Sequence, residues 1–229
     1  MKTQAIIPAA GKGARLKDAL PKPFVLINQK PIVVFSLKIL EESRLVDSVI
    51  LVAGPKYLSD FRKIAGKYRF KKVKAIIAGG ATRRESVRLG LAALDADTQY
   101  VLIHDAARPL LTLELIRKSI AAARGRAAAV TAVPVKSTIK TVNAGGIVEK
   151  TLERKRVWEV QTPQVFKRNI ILRAHQKNKE IDPCDDAVLV ERLGKKVKVV
   201  MGDYKNIKIT TRDDLVLAKV FLDSRKTKT

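Results

Sequence analysis

The chain opens with a run of small residues that carries fixed positive charge: Pro8-Ala9-Ala10-Gly11-Lys12-Gly13-Ala14-Arg15-Leu16, followed by Pro21-Lys22-Pro23-Phe24. Gly11 and Gly13 allow left-handed backbone angles and carry no Cβ, so main-chain N–H groups can close on phosphate oxygens. Ala9 and Ala10 leave room for a flat ring beside the backbone. The planar fork of Arg15 suits two oxygens of one phosphate, whereas Lys22, set between two prolines, is a point charge on a stiffened segment. The chemistry this predicts is a cradle for a nucleoside triphosphate. Two better-known glycine patterns fail on spacing. The dinucleotide motif wants glycine where Leu16 stands, and the P-loop wants Lys-Ser or Lys-Thr after a glycine at a spacing absent here.

A second cluster, His104-Asp105-Ala106-Ala107-Arg108-Pro109, closes an apolar run. An aspartate at that point suits a magnesium ion or a ribose hydroxyl, because magnesium takes one or two carboxylates plus phosphate oxygens. Asp105 is therefore the metal candidate. Arg108 is a ligand either for Asp105 or for substrate, and spacing alone leaves both open. His104 reads as a buried, hydrogen-bonded side chain.

The elements that must position these residues alternate almost from end to end. Strands are predicted at Ala5 to Ile7, Ser48 to Val52, Val73 to Ile77, Tyr100 to His104 and Ala127 to Val133. Helices are predicted at Pro31 to Ser43, Pro55 to Tyr68, Thr82 to Leu94 and Thr112 to Arg124, with prolines suited to first turns. Continuous apolar strands joined by helical crossovers specify an α/β, doubly wound, mostly parallel sheet. Ligands on such a sheet gather at the carboxyl ends of its strands. That rule sets the first loop, Gly79-Gly80 and His104-Asp105 along one rim.

The pattern breaks at Lys136. Two β-branched pieces flank Asn143-Ala144-Gly145-Gly146, a hairpin signal. We expect one domain over residues 1–229 with a protruding hairpin arm at about 136–160, and a homodimer made through that arm. Further helices are expected at Asn169 to Lys177, Asp185 to Leu193 and Thr211 to Leu222, with strands at Val197 to Met201 and Ile207 to Ile209.

Composition narrows the class. No apolar run reaches the ~18 residues of a membrane span, and with the first strand expected so near Met1 neither a signal nor a transit peptide is expected. The single cysteine, Cys184, excludes an internal disulfide and a thiolate-rich metal site and suits a reducing cytosol, so a cytoplasmic protein is expected. The net charge of +24 could hold any polyanion, but the cations are spread along the chain. There is no zinc-finger spacing, aromatic RNP strand or isolated basic arm, and no specific nucleic acid is expected.

Taken together, PAAGKGARL, PKPF, GGATRRESV, HDAARP, TPQVF and NIKIT resemble, in order and spacing, the 2-C-methyl-D-erythritol 4-phosphate cytidylyltransferases. The likeness spans essentially the whole chain. It implies transfer of CMP from CTP to methylerythritol phosphate, with release of pyrophosphate, using a divalent metal such as Mg²⁺ in a homodimer with an exchanged arm. By resemblance, Arg15 and Lys22 stabilise the transition state and Asp105 serves metal and ribose. Arg154 and Lys208 orient methylerythritol phosphate, with Thr138 nearby, and Arg108 is counted with the substrate-binding residues. Ala9, Ala10, Gly80 and Ser86 resemble the cytosine and ribose contacts, with Gly11, Gly13 and Ala106 completing the nucleotide set. Ala81 and Cys184 depart from the family pattern, where an acid and a threonine are usual. A related ribitol 5-phosphate cytidylyltransferase shares the cradle, and Ala107 fits the methylerythritol enzymes better.

The reaction also accounts for what the chain lacks. A phosphate monoester is already a dianion near neutral pH, so its attack on the α-phosphorus needs no general base, and no Ser-His-Asp or Cys-His set is present.

Overall fold

Ala5, Ile6 and Ile7 are wholly buried, because the strand they form has a hydrogen-bonded neighbour on each side and helices over both faces. The computed structural model describes residues 1–11, 21–178, 180 and 182–226. Arg15 and Gly13, two of the expected cradle residues, lie outside the described residues.

In chain order the elements are β1 (Thr3–Ala9), β2 (Leu26–Ile27), β3 (Lys30–Pro31), α1 (Ile32–Glu42), β4 (Ser48–Ala53), α2 (Leu58–Lys67), β5 (Val73–Ala78) and α3 (Arg83–Ala92). There follow β6 (Tyr100–Ile103), α4 (Leu113–Ala123), β7 (Ala128–Pro134), β8 (Lys140–Val142), β9 (Val148–Thr151), β10 (Trp158–Lys167), α5 (Arg168–Lys177), α6 (Ala187–Glu191), β11 (Val197–Met201) and α7 (Arg212–Lys226). Seven strands form one sheet in the order β11-β7-β10-β6-β1-β4-β5. All its pairings are parallel except those of β10, which runs antiparallel to β6 and β7.

Alternation along each strand sorts side chains into two cores. Ala5 and Ile7 join Leu51 and Leu102 under α1, α2 and α4, through Leu37, Phe61 and Ile116. Ile6 joins Ile50, Val52 and Ile103 on the opposite face, under α3, α5 and α6, through Val87, Leu91, Ile171 and Leu189. Helix α7 packs separately, placing Ala218 and Leu222 against Ile27, Ile32, Leu110 and Ile209. Helices α3 and α4 begin where expected because Thr82 and Thr112 accept the backbone N–H three residues on, at 3.1 Å each. Among the described residues no helix is long and apolar enough to cross a membrane.

Three expectations need correction. Strand β10 was not anticipated as a strand of the main sheet, because Pro163 lies inside it and proline cannot donate to a ladder. The fold accommodates it at a register break between Val160 and Gln164, where the pairing with β7 is interrupted. Consequently the arm ends before Trp158, which already pairs with Pro134. Finally, Ile207 to Ile209 is an irregular segment outside any strand, tied to the rim by Ile209 N–H donating to the Ala107 carbonyl at 2.9 Å.

Candidate active site

The carboxyl ends of β1, β5 and β6 meet at a cavity of about 930 Å³. Its lining includes Ala9, Ala10 and Gly11 after β1, Gly80 and Ser86 around the start of α3, Asp105 and Ala106 after β6, and Lys22 and Lys208 from opposite ends of the chain. Nine of the expected site residues therefore share one space. Sheet topology brings them there, since parallel strands present all their carboxyl ends on one side.

Each side chain is held by its own local structure. Lys22 begins a single 3-10 turn, Lys22–Phe24, whose Phe24 ring packs 4.6 Å from Phe61 and 5.4 Å from Tyr57. That aromatic anchor fixes the approach of the lysine, whose Nζ donates to the Ile209 carbonyl at 3.2 Å. Gly79 stands where only glycine fits. A Cβ there would lie 2.5 Å from the Ala10 Cβ and 2.8 Å from the Ser86 Oγ, so the backbone after β5 packs directly against the loop after β1 and the start of α3. The first turn of α3 faces the cavity and brings the positive end of its dipole with it.

Asp105 is the electrostatic centre. Its carboxylate lies 2.8 Å from Lys208 Nζ, 3.3 Å from Arg83 Nε and 3.8 Å from Arg108 Nε. Burial by itself would raise the Asp105 pKa, but Arg83, then Lys208 and Arg108, outweigh it and hold the carboxyl well below the usual carboxylate range. Lys208 is brought within reach by Asn206, whose buried side chain donates to the Thr162 carbonyl at 2.8 Å.

His104 supports the site without facing it. It is fully buried, and burial pushes its pKa down to about 4. Its Nε2 lies 3.1 Å from the Arg108 carbonyl and its Nδ1 3.0 Å from Thr162 Oγ1, which also accepts the Asp105 N–H at 3.0 Å. These partners assign the neutral Nε2–H tautomer. The ring thus locks the turn that carries Asp105 to the strand that carries Thr162.

Arg108, which spacing left between Asp105 and substrate and resemblance counted with the substrate-binding residues, is a buried brace with its Nε 3.8 Å from Asp105. It donates to the carbonyls of Asn206 at 2.7 Å and Val160 at 3.4 Å, and it does not line the cavity. A spacing of three residues from Asp105 placed it near the site but could not show which way the guanidinium turns. Arg154 and Thr138 are also apart from the cavity of their own chain. Both are exposed on or beside the arm, where Arg154 Nη1 donates to the Lys136 carbonyl at 3.1 Å. Cys184 is exposed and outside the cavity lining.

Two participants were not singled out from the sequence. Arg83 lines the cavity and bridges Asp105 to Asp186, and Thr162 ties Asp105 to His104. Arg83 stood within GGATRRESV, where the TRR pair offered a signal. Asp186, 103 residues further on, offered none.

Known proteins share this architecture. The family model described as 2-C-methyl-D-erythritol 4-phosphate cytidylyltransferase matches residues 3–224. A protein of that name from Alkaliphilus oremlandii is 44% identical over 228 residues, covering 98% of this chain and 97% of the relative. Another, from Syntrophus aciditrophicus, is 43% identical over 224 residues, covering 96% of each chain. The solved structure of 4-diphosphocytidyl-2C-methyl-D-erythritol synthase from Anaerococcus prevotii superposes with a TM-score of 0.85 at 33% identity, covering 97% of this chain and 98% of that one. A glycine-walled cavity at the carboxyl rim, with an aspartate between cations, is thus joined to a sequence match over nearly the whole length, and the chain belongs to the 2-C-methyl-D-erythritol 4-phosphate cytidylyltransferase family.

Proposed function

We infer that this protein transfers CMP from CTP to 2-C-methyl-D-erythritol 4-phosphate, giving 4-diphosphocytidyl-2-C-methyl-D-erythritol and pyrophosphate in non-mevalonate isoprenoid biosynthesis. The observation that carries this reading is the meeting of Lys22, Asp105 and Lys208 with the small-residue walls of Ala9, Ala10 and Gly79 in one cavity, in a chain of this family. The walls accept the flat base, and the cations neutralise the triphosphate and the acceptor phosphate. The acceptor oxygen attacks the α-phosphorus in line, the bond to pyrophosphate breaks, and Lys22 offsets the charge that develops. No side chain need take a proton. His104 is neutral and fully engaged, which agrees with a reaction that requires no base.

Asp105 is the cavity carboxylate best placed to share a divalent ion that arrives on the triphosphate. Among the described residues there is no group of three His, Cys, Asp or Glu side chains suited to a metal, so the site favours a phosphate-borne Mg²⁺ over an all-protein cage. When bound, Mg²⁺ would supply charge neutralisation on the phosphates.

The arm supports a homodimer. Val142, Ile147 and Val148 on it are more than half exposed, and Val160 and Met201 at its root are also exposed. A second copy would cover this apolar surface and deliver Arg154 and Thr138 to the cavity that their own chain does not give them. The protein would act in the cytoplasm, a reducing compartment that suits its single cysteine.

Pyrophosphate release measured with each of the four NTPs, and with methylerythritol phosphate or ribitol 5-phosphate as acceptor, tests the reading. Release only with CTP and methylerythritol phosphate is expected. Preference for ribitol 5-phosphate would reassign the acceptor, and activity with neither would refute the function.

A further inference from the structure

Arg83 spans two buried carboxylates. Its Nε lies 3.3 Å from Asp105 Oδ1 and its Nη1 2.8 Å from Asp186 Oδ2. Asp186 precedes α6 and is not exposed at all, and the buried His175 of α5 approaches its other oxygen at 3.3 Å. Lys208 approaches Asp105 from the opposite side, on Oδ2 at 2.8 Å.

Side-chain exposure rises along this series, from 0% at Asp186 and 10% at Asp105 to 26% at Arg83 and 39% at Lys208. The lysine is the member that solvent or substrate reaches most readily. The arginine is fastened from behind by a carboxylate with no access to water. Arg108 is no substitute, because it is 3.8 Å from Asp105 and its guanidinium is engaged by two backbone carbonyls.

We propose that Arg83 is a positioning residue: anchored by Asp186, it holds Asp105 fixed so that Lys208 can leave that carboxylate for the phosphate of the incoming acceptor. The proposal rests on the reading of Lys208 as the cation that meets the acceptor phosphate. Its physical basis is the cost of stranding a buried charge. A lysine that is the only close partner of a buried carboxylate leaves it at a heavy penalty, whereas one of two partners can depart while the other stays. The fork of Arg83 makes this arrangement possible, since separate nitrogens serve Asp105 and Asp186 at once. Asp186 therefore influences acceptor binding without lining the cavity.

The test is steady-state kinetics on Arg83→Gln, Arg83→Lys, Asp186→Asn and Lys208→Ala, varying CTP and methylerythritol phosphate separately, with CTP affinity by calorimetry and Tm alongside. Arg83→Gln should raise the acceptor KM about tenfold or more, while CTP affinity stays within about threefold of wild type. Arg83→Lys should recover part of the loss, since the charge remains but the fork does not. Asp186→Asn should show the same acceptor-selective defect. Combined with Lys208→Ala, Arg83→Gln should add little, because no lysine is left to release.

Arg83→Lys and Asp186→Asn carry the test if Arg83→Gln does not fold. The proposal is overturned if these variants lower Tm yet keep wild-type kinetics, if CTP affinity falls as far as acceptor KM rises, or if the effects add fully to Lys208→Ala. A wild-type acceptor KM in Lys208→Ala would instead refute the role given to the lysine, and the two failures are thereby told apart.

Discussion

Lys22 and Asp105 lie 83 positions apart in sequence and line one cavity, and their neighbours determine what each can do. Lys22 follows Pro21 on a turn whose Phe24 ring packs on Phe61 and Tyr57, and in the proposed reaction it is the cation that meets the triphosphate. Lys22→Ala should lower kcat about 10²- to 10³-fold, or ~3–4 kcal/mol, by analogy with the loss of one preorganised donor; a rapid-quench measurement of CMP transfer checks it. Gly79→Ala should act through the backbone. The added methyl would meet Ala10 and Ser86 below 3 Å, so CTP binding measured by calorimetry should fall and stability should drop by about 1–3 kcal/mol. His104 makes a prediction about pH. Its pKa falls from 6.5 to about 4 on burial, so between those values the unfolded chain binds more protons than the folded one. Stability is then full above about pH 6.5 and declines as pH falls toward 4, by about 3 kcal/mol. Tm measured across that window should fall with acidity in the wild type and stay flatter in His104→Gln.

Among elements, β10 decides most about the site. Running antiparallel between β6 and β7, it brings Thr162 against His104 and the Asp105 N–H. The irregular segment around Lys208 depends on it too, since Asn206 donates to the Thr162 carbonyl. The arm, by contrast, leaves β7 and returns to β10 with its own two strands paired only to each other. That makes its proposed role in a second copy testable by mixing. Arg154→Ala should raise the acceptor KM with little change toward CTP, and Lys22→Ala should be nearly inactive. When the two variants are mixed, a mixed dimer with exchanged arms contains one intact site. Random exchange should then restore about a quarter of wild-type activity. No restoration, despite mixed dimers seen by native mass spectrometry, would place Arg154 outside the partner's site.

At the scale of the whole molecule, the chain carries a net charge of +24 and its proposed substrates are both anions. Capture by a positive field is screened by salt, so kcat/KM for CTP should fall steeply as ionic strength rises while kcat changes little; a flat response would leave the charge without a part in catalysis. The order of strands and helices was legible from the sequence because apolar periodicity and glycine placement are local signals, and the carboxyl-edge rule then gathered Ala9, Gly80, Ser86 and Asp105 on one rim. Strand β10 was not, because Pro163 reads as a breaker until the fold supplies a register break to hold it. The direction of Arg108, the pairing of Arg83 with Asp186 and the reach of Lys208 to Asp105 were decided by tertiary structure alone. These last contacts join residues about a hundred positions apart, and no spacing along a chain records which distant carboxylate or carbonyl a cation will meet once the sheet has formed.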